Sequence, residues 1–178
     1  AKELGRTTSF SAIQVSEGME NLASAGFEAN EIYAAMPGLL NLAASDNIDL
    51  ASASEIAAGA LRGFGLEASQ TGHVADVLAE SAARTNASVS SMGSALSYVA
   101  PVSKAMGISM EETAAAVGLL SNANITGTKA GTSLRGALSR LAKPSEKAAE
   151  AMETLGFNAY DSQGNMKSFS EIIDSVRA

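Results

Sequence analysis

Apolar positions along the chain recur at helical spacing. Met110, Ala114, Val117 and Leu120 fall at i, i+4, i+7 and i+10, which places them on one stripe of an α-helix. Val74, Val77 and Leu78 share a face, as do Val89, Met92, Leu96 and Val99, and again Leu134, Leu138 and Leu141. No sustained alternation of period two appears before residue 157, so the body of the chain reads as helix rather than strand. Pro37 and Pro101 fall within two helical stretches, and each is expected to kink or divide its helix. Pro144 opens PSEKAAEAMETLG, where proline suits a first helical turn.

Two punctuation signals divide the helices. In ASAGFEANEI, RGFGLEASQT and KAMGISMEET a glycine is followed by an apolar residue and then a polar, acidic run. These glycines are Gly26, Gly65 and Gly107, spaced by 39 and 42, and Gly156 follows after 49. Glycine ends a helix by taking the left-handed conformation, and the next apolar residue packs back on the last turn. The acidic residues beyond suit the positive N-terminal end of the next helix. An offset series sits at Asn47, Asn86 and Asn124, spaced by 39 and 38. Asparagine also tolerates the left-handed region, and Asp49, Ser88 and Thr126 two residues later are good N-caps. Ser9-Phe10 begins the pattern.

The two series predict a unit of about 39 residues, helix, Gly turn, helix, Asn turn, of the kind found in α-helical hairpin repeats. The expected fold is all-α, with tandem helical hairpins packed in one domain. Residues 1–143 form the repeat core, and the first residues, AKELGRTTSF, read as helix. Residues 144–178 are expected to add a helix, a short β-hairpin and a truncated helix. The hairpin is expected in FNAYDSQGNMKSF, with Gly164 and Asn165 in the turn, and Ser170 is expected to cap the last helix. The chain does not begin with Met and stops inside an amphipathic run, SEIIDSVRA, so it is expected to be part of a longer protein.

Composition changes this picture in two ways. Alanine dominates the apolar residues, aromatics are 4% and tryptophan is absent. Small side chains allow close helix approach but bury little area each, at about 25 cal/mol per Å². The net charge of −7 argues against general nucleic-acid binding, yet it is unevenly spread. Residues 1–112 balance at −8, residues 113–144 at +4 and residues 145–178 at −3. The basic island, Lys129, Arg135, Arg140 and Lys143, has no acid among it. It is either a solvated helix face or a docking face for the acidic remainder of the chain or an acidic partner. The absence of cysteine excludes disulfides, zinc thiolates and thiol nucleophiles. No apolar run approaches the ~20 residues of a membrane span.

Candidate chemistry is thin. GTKAGTS resembles a phosphate loop, but Thr128 precedes Lys129 where the P-loop needs glycine. Gly63-Phe64-Gly65-Leu66-Glu67-Ala68 satisfies G-x-G-x-x-A, but EIAAGALR upstream reads as helix where that fingerprint requires a strand. His73, the sole histidine, lies near Asp76 and forms an incomplete triad. Glu111 and Glu112 are adjacent and diverge around a helix, while Glu17 and Glu20 share a face that reads as solvated. No catalytic, metal or cofactor site is expected.

The ordered motifs do carry a resemblance. The run from FSAIQVSEGMENLASAGFEANEIYAAMPGLLNLAAS onward has a helix ending in Ala-Gly, a Met-Pro turn and Leu-x-Leu-Ala. Ala75-Asp76, Ala100-Pro101 and Gly-x-x-Ala-Gly-Thr-x-Leu-Arg at 127–135 follow, and LGFNAYDSQGNM closes. In this order they resemble the core region of phage tail tape measure proteins, the minor tail proteins of long-tailed phages and prophages. The resemblance covers nearly the whole chain. It implies a non-enzymatic role in tail length determination, tail assembly and genome delivery. It also implies a place inside the tail tube of the virion, and in the host cytoplasm during assembly. The implied partners are other tail proteins (tube, chaperone, tip), with further copies of the chain an open alternative. No cofactor, small-molecule substrate or specific nucleic-acid binding is implied, and membrane contact would come from other parts of a longer chain. Gly127, Ala130, Gly131, Thr132, Leu134 and Arg135 are then motif residues with structural roles. Two other readings remain: a helical-repeat module docking an acidic partner through Lys129, Arg135, Arg140 and Lys143, and, more weakly, a lytic enzyme. Whether the segment is compact or extended inside a tail stays open.

Overall fold

The structure, a computed structural model, describes residues 1, 3, 6 and 9–177. Of the first residues read as helix, positions 2, 4, 5, 7 and 8 lie outside the described residues. The described residues form nine α-helices. They are α1 (Ala12–Ser24), α2 (Ala29–Ser45), α3 (Leu50–Phe64), α4 (Thr71–Arg84), α5 (Val89–Ala105), α6 (Met110–Asn122), α7 (Gly127–Ala142), α8 (Glu146–Thr154) and α9 (Phe169–Arg177). A short 3₁₀ turn, Ala68–Gln70, precedes α4.

Helices one position apart form hairpins, and helices two positions apart pack side by side. α1, α3, α5 and α7 make one layer, each broadly packed on the next, with α5 on α7 the most extensive contact. α2, α4 and α6 make the second layer. The arrangement follows from the turns. After Gly65, which has φ +66°, the N–H of Leu66 reaches the carbonyl of Leu61 at 2.8 Å. Phe27, Ile108 and Phe157 make the same bond after Gly26, Gly107 and Gly156. The apolar residue is thereby drawn back under the helix it has just left. Asn47 and Asn124 do the same work, at φ +50° and +60°, with Ile48 bonded to Ala43 and Ile125 to Leu120.

Asn86 departs from the expected series, because its φ is not left-handed. There α4 ends on Thr85 in extended conformation, and side chains hold the turn. The Thr85 hydroxyl donates to the Ser81 carbonyl at 2.7 Å, and the Asn86 N–H donates to Asn122 Oδ1 at 2.8 Å. The N-caps also differ in part. Asp49 accepts the Ser52 N–H and Ser88 that of Ser91, whereas Thr126 makes no side-chain cap. Ser11, rather than Ser9, caps α1.

The two internal prolines do not divide their helices, and three further expectations are corrected. Pro37 lies inside α2 and Pro101 inside α5. Both prolines are exposed, as are Tyr33 and Ser97 four residues before them, while Leu39, Leu40, Val99 and Ala100 alongside are buried. The carbonyl that loses its partner thus lies on the solvated side, and burial of the other face carries the helix through. Pro144 stands just outside α8, whose cap is Ser145. No strand forms among the described residues, so the expected β-hairpin is absent. Tyr160 and Met166 make one isolated antiparallel bridge. The Asp161 carboxylate takes the N–H groups of Gln163 and Asn165, each at 2.8 Å, closing a tight loop with Gly164 at φ +84°. Two strands alone would be marginal in water. Ser168 rather than Ser170 opens α9, exchanging hydrogen bonds with Glu171.

The core runs between the layers and is rich in alanine, with Leu22, Met36, Leu61, Leu78, Met92 and Leu96 among its largest fully buried members. Buried hydroxyls of Ser54, Thr113 and Ser121 bond carbonyls of their own helices. The Ser103 hydroxyl is buried with no hydrogen-bond partner among the described residues.

Candidate functional site

The segment 124–144 carries both the phosphate-loop candidate and the basic island. In the fold, Asn124 and Gly127 (φ +56°) turn the chain out of α6 into α7. No strand precedes the turn, so the strand-to-helix setting of a phosphate loop is not formed. α7 presents Ala130, Gly131, Leu134 and Leu138 to the core, with Leu141 half-buried beside them. At Gly131 the helix comes so close to α5 that an added Cβ would stand 2.2 Å from the Ala95 carbonyl oxygen and 2.9 Å from its Cα. Thr132 and Arg135 are exposed and Gly127 is half-buried at the helix start.

Lys129, Arg135, Arg140 and Lys143 are all exposed. None has an ion-pair partner among the described residues. Lys129, Ser133, Gly136, Arg140 and Lys143 fall at i, i+4, i+7, i+11 and i+14, one stripe within about 80° at 100° per residue. Arg135 lies to one side of it. The stripe faces away from Gly131 and Leu138, and therefore away from α5.

The other candidates resolve into packing and surface pairs. Gly63 ends α3, where a Cβ would meet that of Ala100 at 2.8 Å, and Gly65 is the left-handed cap over which Lys104 lies. G-x-G-x-x-A is thus a helix end. His73 is not joined to Asp76. Its Nε2 lies 2.5 Å from Glu111 Oε1 at the start of α6, with both side chains half exposed. Glu111's own backbone N–H, and then the His73 imidazole, hold its carboxyl below the usual range. Glu112 turns the other way and accepts the backbone N–H of Phe169, tying the C-terminal segment to α6. Sequence reasoning missed both partners, since they lie 38 and 57 residues away. Glu17 and Glu20 are exposed on α1.

Among the described residues, no group of three or more His, Asp or Glu side chains is placed to hold a metal ion. No described helix is long and apolar enough to cross a membrane. Several grooves open on the surface of the described residues. One, of about 420 Å³, lies between α3 and α5 beside Glu55, Arg62, Ser94 and Ser97. Another, about 590 Å³, lies between α1 and α2 beside Met19, Ala23, Ile32 and Tyr33.

The comparisons with known proteins agree with the ordered motifs. The family described as phage-related minor tail protein matches residues 1–178. The tape measure protein of Pneumococcus phage Dp-1 is 54% identical over 177 residues, covering 99% of this chain and 15% of that protein. The probable tape measure protein of Escherichia phage P2 is 38% identical over 178 residues, covering 100% of this chain and 22% of that protein. The chain therefore spans less than a quarter of the length of these relatives. No solved structure matches. With the family matched from the first residue to the last, the chain belongs to the phage-related minor tail proteins.

Proposed function

We propose that this chain is a structural segment of a phage or prophage tape measure protein, acting in tail length determination, tail assembly and genome delivery. The observation that carries the reading is the match of the whole chain to the minor tail family, with relatives that are themselves tape measure proteins aligned across nearly all of it. The role is structural rather than catalytic. Its place is the interior of the tail tube, reached from the host cytoplasm during assembly, and its partners are tube, chaperone and tip proteins. Gly127, Ala130, Gly131, Thr132, Leu134 and Arg135 act within it as packing and turn residues; the Gly131 approach to Ala95 supports this.

The test is an in-frame deletion of the segment in a phage that carries it, with tail lengths measured by electron microscopy. An extended helix of this length would span about 270 Å at 1.5 Å per residue. A compact body of 178 residues would span only about 40 Å, from a radius of gyration near 16 Å. Shortening near the first value supports measuring by an extended chain, and shortening near the second supports a folded module in the tube. Normal tails of unchanged length would refute a measuring role for the segment.

A further inference from the structure

We infer that the α7 edge of one copy of this chain docks on the α1 edge of a second copy, extending the layer α1, α3, α5, α7 head to tail. The inference is independent of the tail role and can fail without it. It starts from the two ends of that layer. α7 buries one side against α5, and its opposite side carries Lys129, Ser133, Gly136, Arg140 and Lys143. α1 buries Val15, Gly18 and Leu22, and its opposite side carries Ile13, Glu17, Glu20 and Ser24. The two outward stripes have the same i, i+4, i+7, i+11 spacing and opposite charge. No acid lies anywhere in residues 113–144, and no base lies in α1.

Their shapes also match what the layer already does inside. Within it, neighbouring helices meet at glycine: Gly18 against Leu50 and Ser54, Gly93 against Ile56, Gly63 against Ala100 and Gly131 against Ala95. Gly136 is the corresponding small residue on the outward side of α7, and a Cβ there would meet nothing within 4 Å. On the outward stripe of α1, Ile13 is 72% exposed beside the acidic pair Glu17 and Glu20. Glu28 and Glu31 at the start of α2 add to the acidic end. A cation stripe with a central glycine can thus lie along an acid stripe that supplies a large apolar side chain. Because the two surfaces differ, the contact is heterologous and builds rings or open chains rather than a two-fold dimer.

Sedimentation equilibrium of the 178-residue chain tests this. At low salt and up to about 1 mM, the range of weak specific contacts, the chain should associate progressively, and added salt should weaken the association. E17K/E20K and K129E/R140E should each weaken it by roughly tenfold or more. An equimolar mixture of the two variants should recover it, since each altered edge then meets its complement. All these positions are exposed, and circular-dichroism melts confirm that the variants fold. A wild-type chain that stays monomeric throughout overturns the inference. So does association unmoved by either charge reversal, or a mixture that fails to recover it.

Discussion

Replacing Gly131 by alanine adds one methyl group at the closest point between two helices. The added Cβ would sit 2.2 Å from the Ala95 oxygen and 2.9 Å from its carbonyl carbon and Cα. These are backbone atoms, so no rotamer change relieves the overlap, and α5 and α7 must move apart by roughly 1 Å. Overpacking of this kind costs about 1–3 kcal/mol, or more when the neighbour is rigid. Alanine is intrinsically better than glycine in a helix by about 1 kcal/mol, which offsets part of the loss. Because the atoms met are backbone, the upper end of that cost applies, and the net expectation is a loss of about 2 kcal/mol, or a fall in Tm of about 4–8 °C for a domain of this size. Gly136→Ala is the control on the same helix, because its Cβ meets nothing within 4 Å. There only the propensity remains, and the variant should gain up to about 1 kcal/mol. Urea and thermal unfolding read both. The same substitution five residues apart should therefore change stability in opposite directions. A Gly131→Ala protein as stable as the parent would refute the close approach as the reason for glycine.

Other tests probe the turns and caps. Asn47→Gly should stabilise the fold by up to about 1 kcal/mol, because Asn47 holds a left-handed φ that glycine adopts without strain. Asn86→Gly should give no gain, since Asn86 does not adopt that conformation, and chemical denaturation of the pair separates the two. Asp49→Ala should cost about 1 kcal/mol at neutral pH through loss of the α3 cap. Hydrogen bonds from the Ser52 hydroxyl and N–H hold the Asp49 carboxyl below its ordinary value. A depressed pKa contributes stability above the unfolded value and loses it as pH falls through the folded one. The stability gap between parent and Asp49→Ala should therefore close on acidification below the usual carboxylate range, as followed by melts across a pH series.

Much of the helical architecture was legible because its signals are local. A glycine followed by an apolar residue specifies a left-handed turn and a backbone bond within six residues, and Gly26, Gly65, Gly107 and Gly156 all make it. The inward stripe of α7 followed from spacing alone, since a helix repeats its faces whatever it packs against. The misreadings arose where local preference competed with something distant or equally local. At Asn86 the carboxamide of Asn122, 36 residues on, took part in holding the turn. At 157–169 the Asp161 side chain closed a tight loop on the amides of Gln163 and Asn165, and pairing beyond it stopped at one bridge.

The sequence by itself determined the helices, most of their ends, the basic island and the family, because caps, periodicity, charge and ordered motifs are written in neighbouring residues. Tertiary structure alone decided that odd and even helices form separate layers. It also decided that Gly131 meets Ala95, that His73 pairs with Glu111 rather than Asp76, and that Lys129, Arg140 and Lys143 look away from α5. Each of these depends on which surfaces of distant helices meet. That choice is made by the packing of many small side chains at once, with no single residue announcing it.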